Sequence, residues 1–179
     1  MNSDRPSRAL TYWELHDRCR EGNKYLVAGM VSRQEVGLLA GPSGVGKTAF
    51  AVQMGMSVAS GQPFLERPTS LGRVLLIDLE NSAAQIRDLI ARQTAFLKLD
   101  EPPETLYVAD PGELEPDIKA LVSEVRPDLC IVDSLGALEA FAEDTNSFAR
   151  KTVQDLKTLA RRFDTSFLLI HHTRKPARG

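Results

Sequence analysis

Five short apolar runs punctuate the chain, at residues 34–40, 73–80, 105–109, 128–133 and 165–171. The first ends in Val-Gly-Leu-Leu-Ala, and the second reads Arg-Val-Leu-Leu-Ile-Asp-Leu-Glu. Runs of this length without in/out alternation predict strands buried on both faces. The segments between them carry apolar residues at helical spacing. A helix is expected over 46–60, stopped near Gly61 and Pro63. Ser82 and Gln85 have capping-box spacing and open a second helix, with Ile86, Leu89, Ile90, Phe96 and Leu97 on its inner face. A third covers 113–125 and ends before Pro127. The fourth, over 146–163, turns Val153, Leu156, Leu159, Ala160 and Phe163 inward. Ahead of all these, residues 1–10 read as a disordered tail. A short helix follows, because Thr11 and Glu14 also have capping-box spacing; it offers Trp13, Leu15 and Cys19 for docking on a core.

Alternating strands and helices of this kind predict a three-layer α/β/α sandwich with a mainly parallel sheet and right-handed crossovers. Ligands in such folds bind at the carboxyl ends of the strands. Lys47, Glu80, Asp133 and His172 all fall there. The expected organisation is a tail and docking helix over 1–23 and one α/β core over 24–179.

With 42% apolar and 26% charged residues, the chain can bury a core and fold as a globule. A net charge of −2 does not mark the whole chain as a nucleic-acid binder. Its two cysteines, Cys19 and Cys130, provide neither metal spacing nor a disulfide framework, which suits a reducing cytoplasm. No signal peptide is read at the N-terminus and no apolar run approaches the length of a membrane span, so a cytoplasmic protein with no membrane partner is expected.

The segment Gly41-Pro42-Ser43-Gly44-Val45-Gly46-Lys47-Thr48 fills the pattern G-x-x-x-x-G-K-[ST] at every position. Glycines allow successive N–H groups to turn inward around an anion, and the helix that follows adds its positive end. Lys47 is placed to reach the β and γ phosphates of ATP, and the Thr48 hydroxyl to ligate Mg2+. Ala49, in the first helical turn, completes the expected phosphate-facing set. A buried strand upstream and a helix downstream make this loop a nucleotide site rather than an ordinary glycine turn.

Asp133 closes the apolar run Leu-Cys-Ile-Val-Asp, the pattern of a second acid that holds Mg2+ through water. Many P-loop ATPases carry a catalytic Glu next to it, but here the next residue is Ser134. Glu80, at the end of its own apolar run, is the alternative base to polarise the attacking water, with Asp78 a weaker competitor on the same face. The last run finishes on His171 and His172, polar donors suited to sensing the γ-phosphate. A zinc site lacks a third ligand at convincing spacing. Arg174, Lys175 and Arg178 make the end of the chain basic, available to nucleic-acid phosphates or to a neighbouring subunit's nucleotide.

Taken in order, the loop at residues 41–48, the run ending at Glu80, the Asp133-Ser134 pair and the His-His-Thr-Arg-Lys finish resemble the ATPase core of RecA-like proteins, over roughly residues 24–175. The resemblance is greatest to the RepA/DnaB-like replicative helicases of plasmids, phages and mobile elements. It implies Lys47 and Thr48 on phosphate and magnesium, Asp133 on the metal, Glu80 as base, and His172 as the γ-phosphate switch with His171 beside it. It further implies single-stranded DNA as partner and a homo-oligomeric ring, usually a hexamer, completed by an arginine from the neighbour. Such proteins continue past the switch strand, so the chain is expected to be truncated at its C-terminus, and none of its last basic residues is assigned as that arginine.

The same residues bear on other functions. A recombination or repair ATPase would need DNA-pairing loops that are not present. A small-molecule or nucleotide kinase would need an arginine-rich lid, and residues 134–165 read instead as a helix with one charged face. A non-hydrolysing switch module has no use for Glu80, and a transport ATPase would show Leu-Ser-Gly-Gly-Gln ahead of Asp133.

Overall fold

The structure is a computed structural model describing residues 10–18, 24–109, 117–139 and 145–173. In chain order its elements are α1 (Tyr12–Arg18), β1 (Tyr25–Val27), β2 (Val31–Ser32), β3 (Val36–Gly41), α2 (Lys47–Ser60), β4 (Val74–Asp78), α3 (Ala83–Phe96), β5 (Leu106–Val108), α4 (Ile118–Val125), β6 (Leu129–Asp133), α5 (Leu135–Glu139), α6 (Thr145–Phe163) and β7 (Ser166–His172). β1 and β2 form a small antiparallel pair. The other five strands make one parallel sheet in the order β3-β7-β6-β4-β5.

Successive residues of the central strands enter different cores. Val74, Leu76, Leu129, Ile131, Leu168 and Ile170 pack with α2 and with Ile86 of α3. Leu75, Ile77, Cys130, Val132, Phe167 and Leu169 pack with Val122 of α4 and with Leu156 and Ala160 of α6. Side chains alternate across a strand, so burial on both sides explains why the runs lack a polar face. Each fully buried Leu or Ile contributes about 1.5–3 kcal/mol relative to exposure. Burial also pushes the Cys130 thiol far above its ordinary value, leaving it a neutral core hydrophobe.

Three expectations change. β3 is not buried: it is an edge strand beside β7, and Leu38 is 59% exposed. α1 forms with the expected box, Thr11 N–H donating to Glu14 Oε2 at 2.7 Å, yet none of its residues is buried. Tyr12, Trp13 and His16 stack on one another instead of docking on the core, and Cys19 lies outside the described residues. Phe96 is exposed whereas Ile86 is buried. Ten residues of α-helix are about 2.8 turns, which swings Phe96 off the face that Ile86 occupies. The β1–β2 pair and α5 carried no periodic signal. Among the described residues no helix is long and apolar enough to cross a membrane.

Candidate functional site

β3 delivers the chain into the glycine loop at Gly41, and α2 begins at Lys47. Gly44 (φ 83°) and Gly46 (φ 89°, the residue before α2) are left-handed. A Cβ at either would meet nothing within 4 Å, so the demand for glycine is conformational rather than steric. Lys47 is buried, and its Nζ donates to the Gly41 and Pro42 carbonyls at 2.9 and 2.8 Å. Val45 stands at the exposed tip of the loop.

The same ammonium lies 2.9 Å from Nδ1 of His172, and Ser43 Oγ lies 3.3 Å from that nitrogen. An ammonium only donates, so Nδ1 is the acceptor and the imidazole proton sits on Nε2. Nε2 faces Glu80 Oε2 at 3.0 Å. The other carboxylate oxygen, Oε1, accepts from the Ser134 hydroxyl. Lys47, His172, Glu80 and Ser134 therefore form one continuous hydrogen-bonded chain. The register explains how they meet: Gly41 pairs with His172 across β3 and β7, and Asp78 with Asp133 across β4 and β6.

Asp133 ends β6 fully buried. Its Oδ2 accepts from Thr48 Oγ1 at 2.5 Å, and its Oδ1 is buried without a hydrogen-bond partner. Burial pushes its carboxyl above the ordinary value of 3.8; the Thr48 bond opposes this, and the nearby charges of Asp78 and Glu80 add to it. A hard divalent cation coordinated by oxygen fits such a group, since the hydroxyl and the orphaned carboxylate oxygen are the donors Mg2+ takes. Glu80, Asp133 and His172 also offer three ligand atoms within 4.8 Å of one another. His172 is unsuited to that role in this arrangement. With Nδ1 held as acceptor by Lys47, its Nε2 carries the proton and has no lone pair to give.

Glu80 is not at the end of its strand. β4 stops at Asp78, and Glu80 lies two residues further, in a bend. Asp78 is buried and builds that bend: its Oδ1 accepts from the N–H groups of Glu80 and Asn81 at 3.0 and 2.9 Å, and its Oδ2 from Asn81 Nδ2 at 2.8 Å. It supports Glu80 rather than competing with it. His171 is not brought to the site. Neighbouring strand residues face opposite ways, and its Nδ1 is buried without a partner. Arg174, Lys175 and Arg178 lie outside the described residues.

A groove of about 420 Å³ runs from Gly44, Gly46, Lys47, Thr48 and Ala49 past His172 to Gln85, Asp88, Leu89 and Arg92 on α3. Neither the α3 wall nor Ser134 carries a signal in the sequence. The capping box at Ser82 located α3, and only the folded structure shows that Gln85, Asp88, Leu89 and Arg92 along it border the loop.

A family model described as an AAA domain, AAA_25, matches residues 4–178. Among solved structures the chain is similar to the KaiC-like protein PH0186 from the hyperthermophilic archaeon Pyrococcus horikoshii OT3, at 22% identity and a TM-score of 0.58. The match covers 86% of this chain and 68% of that one. No curated protein matches the chain.

Proposed function

The chain belongs to the AAA_25 family of AAA domains and has a RecA-like P-loop ATPase core; on that premise we propose that it hydrolyses ATP with Glu80 as general base, coupled to single-stranded DNA as in replicative helicases. The observation that carries this reading is the hydrogen-bonded chain from the Lys47 ammonium through His172 to the Glu80 carboxylate. It joins the group suited to hold the γ-phosphate to the group suited to take a proton from water.

In this reading the loop N–H groups and Lys47 hold the β and γ phosphates in the groove. Thr48 and Asp133 would hold Mg2+, which would supply positive charge against the phosphate oxygens. Glu80 accepts the proton of a water whose oxygen bonds the γ-phosphorus as the bond to the β-phosphate oxygen breaks. His172 exchanges Glu80 or Lys47 for the γ-phosphate and reports its presence along β7. The α3 wall, with Gln85, Leu89 and Arg92, is left for ribose and base. Single-stranded DNA and a ring of like subunits come from the resemblance to RepA/DnaB-like helicases.

The test is steady-state ATP hydrolysis by the full chain with and without single-stranded DNA, beside Lys47→Ala and Glu80→Gln. Turnover stimulated by DNA and abolished by both substitutions supports the whole reading. Turnover indifferent to DNA removes the helicase part, and ATP binding without turnover in any condition leaves a nucleotide switch.

A further inference from the structure

We propose that Ser134 is a positioning residue for hydrolysis: it fixes the orientation of the Glu80 carboxylate. This deepens the reading of Glu80 as base and rests on it.

Ser134 occupies the position after the second acid, where many P-loop ATPases place the catalytic carboxylate itself. Here it is fully buried, between β6 and α5. Its Oγ accepts the Ala137 N–H at 3.3 Å, which fixes a lone pair of the hydroxyl. Its one proton is directed at Glu80 Oε1. Glu80 itself comes from a different strand and is partly exposed, on a bend held only through its backbone by Asp78. A long carboxylate side chain in that setting has several rotamers, and few of them aim an oxygen at a water in line with the γ-phosphate.

Two contacts select the rotamer, one on each oxygen: Ser134 on Oε1 and His172 on Oε2. They differ in permanence. His172 also meets the phosphate loop through Lys47 and Ser43, so it is the contact that changes when a γ-phosphate arrives. Among the described residues the Ser134 hydroxyl bonds Glu80 and the Ala137 N–H of α5 and no residue of the loop. It retains Glu80 while His172 turns away, and leaves Oε2 free to take the proton. The base and its holder thus come from two separate segments, one following β4 and the other following β6.

Kinetics of Ser134→Ala in the full chain test this. Removing the hydroxyl should lower kcat by about 10- to 100-fold, the scale of a misaligned reacting group, while KM for ATP stays within about twofold. In a Glu80→Gln background the same change should cost nothing further, because the carboxylate it positions is gone. Wild-type kcat in Ser134→Ala, alongside a dead Glu80→Gln, overturns the inference while leaving Glu80 as base. So does an equal loss in both backgrounds, which marks a merely structural serine. If Glu80→Gln keeps its turnover, Glu80 is not the base and the inference falls with that reading. If the parent turns over too slowly to measure, melting temperatures test the contact itself. Ser134→Ala and Glu80→Ala should then be non-additive, and additive shifts refute the contact.

Discussion

His172 Nδ1 lies 2.9 Å from Lys47 Nζ, so the last strand of the sheet touches the phosphate loop through one imidazole. The contact follows from the pairing of Gly41 with His172 between β3 and β7. Any ligand that draws the ammonium toward a phosphate must alter this bond, and through Nε2 the bond to Glu80. His172→Ala should therefore uncouple the two ends of the groove. We expect ATP affinity within about threefold of the parent and turnover reduced by at least about 10-fold. Equilibrium binding of a fluorescent nucleotide beside steady-state kinetics separates the two effects, and an unchanged kcat counts against the switch role.

Asp133 illustrates a site residue that the fold tolerates at a cost. Its carboxyl is shifted upward chiefly by burial, so folding favours the neutral form. The sign follows directly. Its contribution to stability is fully present below the ordinary value of 3.8 and is lost as pH rises through the higher folded-state value. Above that value the buried charge therefore opposes folding unless a cation lies beside it. Asp133→Asn should raise the melting temperature of the nucleotide-free protein, at about 2–4 °C per kcal/mol recovered, and abolish Mg2+-dependent turnover. Thermal melts of both proteins at about pH 5 and pH 7 check this: the gap must widen at the higher pH.

Asp78 predicts the opposite combination. Its buried carboxylate satisfies two backbone N–H groups and the Asn81 amide in a part-buried bend. Asp78→Ala leaves those donors without partners, at about 1–3 kcal/mol each where water cannot replace them. It should lower stability and also kcat, because Glu80 rides on the bend. A variant that melts like the parent would show that water repairs the turn.

Much of this was legible in the sequence, for definite physical reasons. The double-sided burial of β4, β6 and β7 wrote itself as unbroken apolar runs, and the phosphate loop as a fixed spacing. The capping boxes at Thr11 and Ser82 marked helix starts because both halves of the motif are local. What the sequence hid depends on long-range placement. Leu38 looks like a core residue until β3 proves to be at the sheet edge. Asp78 and Glu80 look equivalent under a period of two, which ceases to apply once the strand ends at Asp78. His171 and His172 look like a pair, although adjacent residues of a strand face opposite ways. Ser134 looks like an absence, and its bond to Glu80 spans 54 residues of sequence.

Two glycines of the phosphate-loop helix should fail for different reasons, and the order of substitutions tells them apart. Gly46 sits at φ 89° with open space around it, so a side chain there is strained by backbone conformation alone. Asn visits the left-handed region more readily than Ala and is also a favourable residue before a helix. Gly55 is inside α2, and a Cβ there would come within 2.8 Å of Ile131 Cδ1 and 3.2 Å of Val74 Cγ1. Crowding of this kind costs about 1–3 kcal/mol and grows with side-chain size. At position 46, Asn should therefore be tolerated better than Ala. At position 55, Ala should be tolerated better than Asn. Urea unfolding midpoints of the four variants measure both orders. Asn tolerated better than Ala at both positions would mean that α2 shifts against the sheet to relieve the contact at Gly55, and Ala tolerated better at both would refute the conformational reading of Gly46.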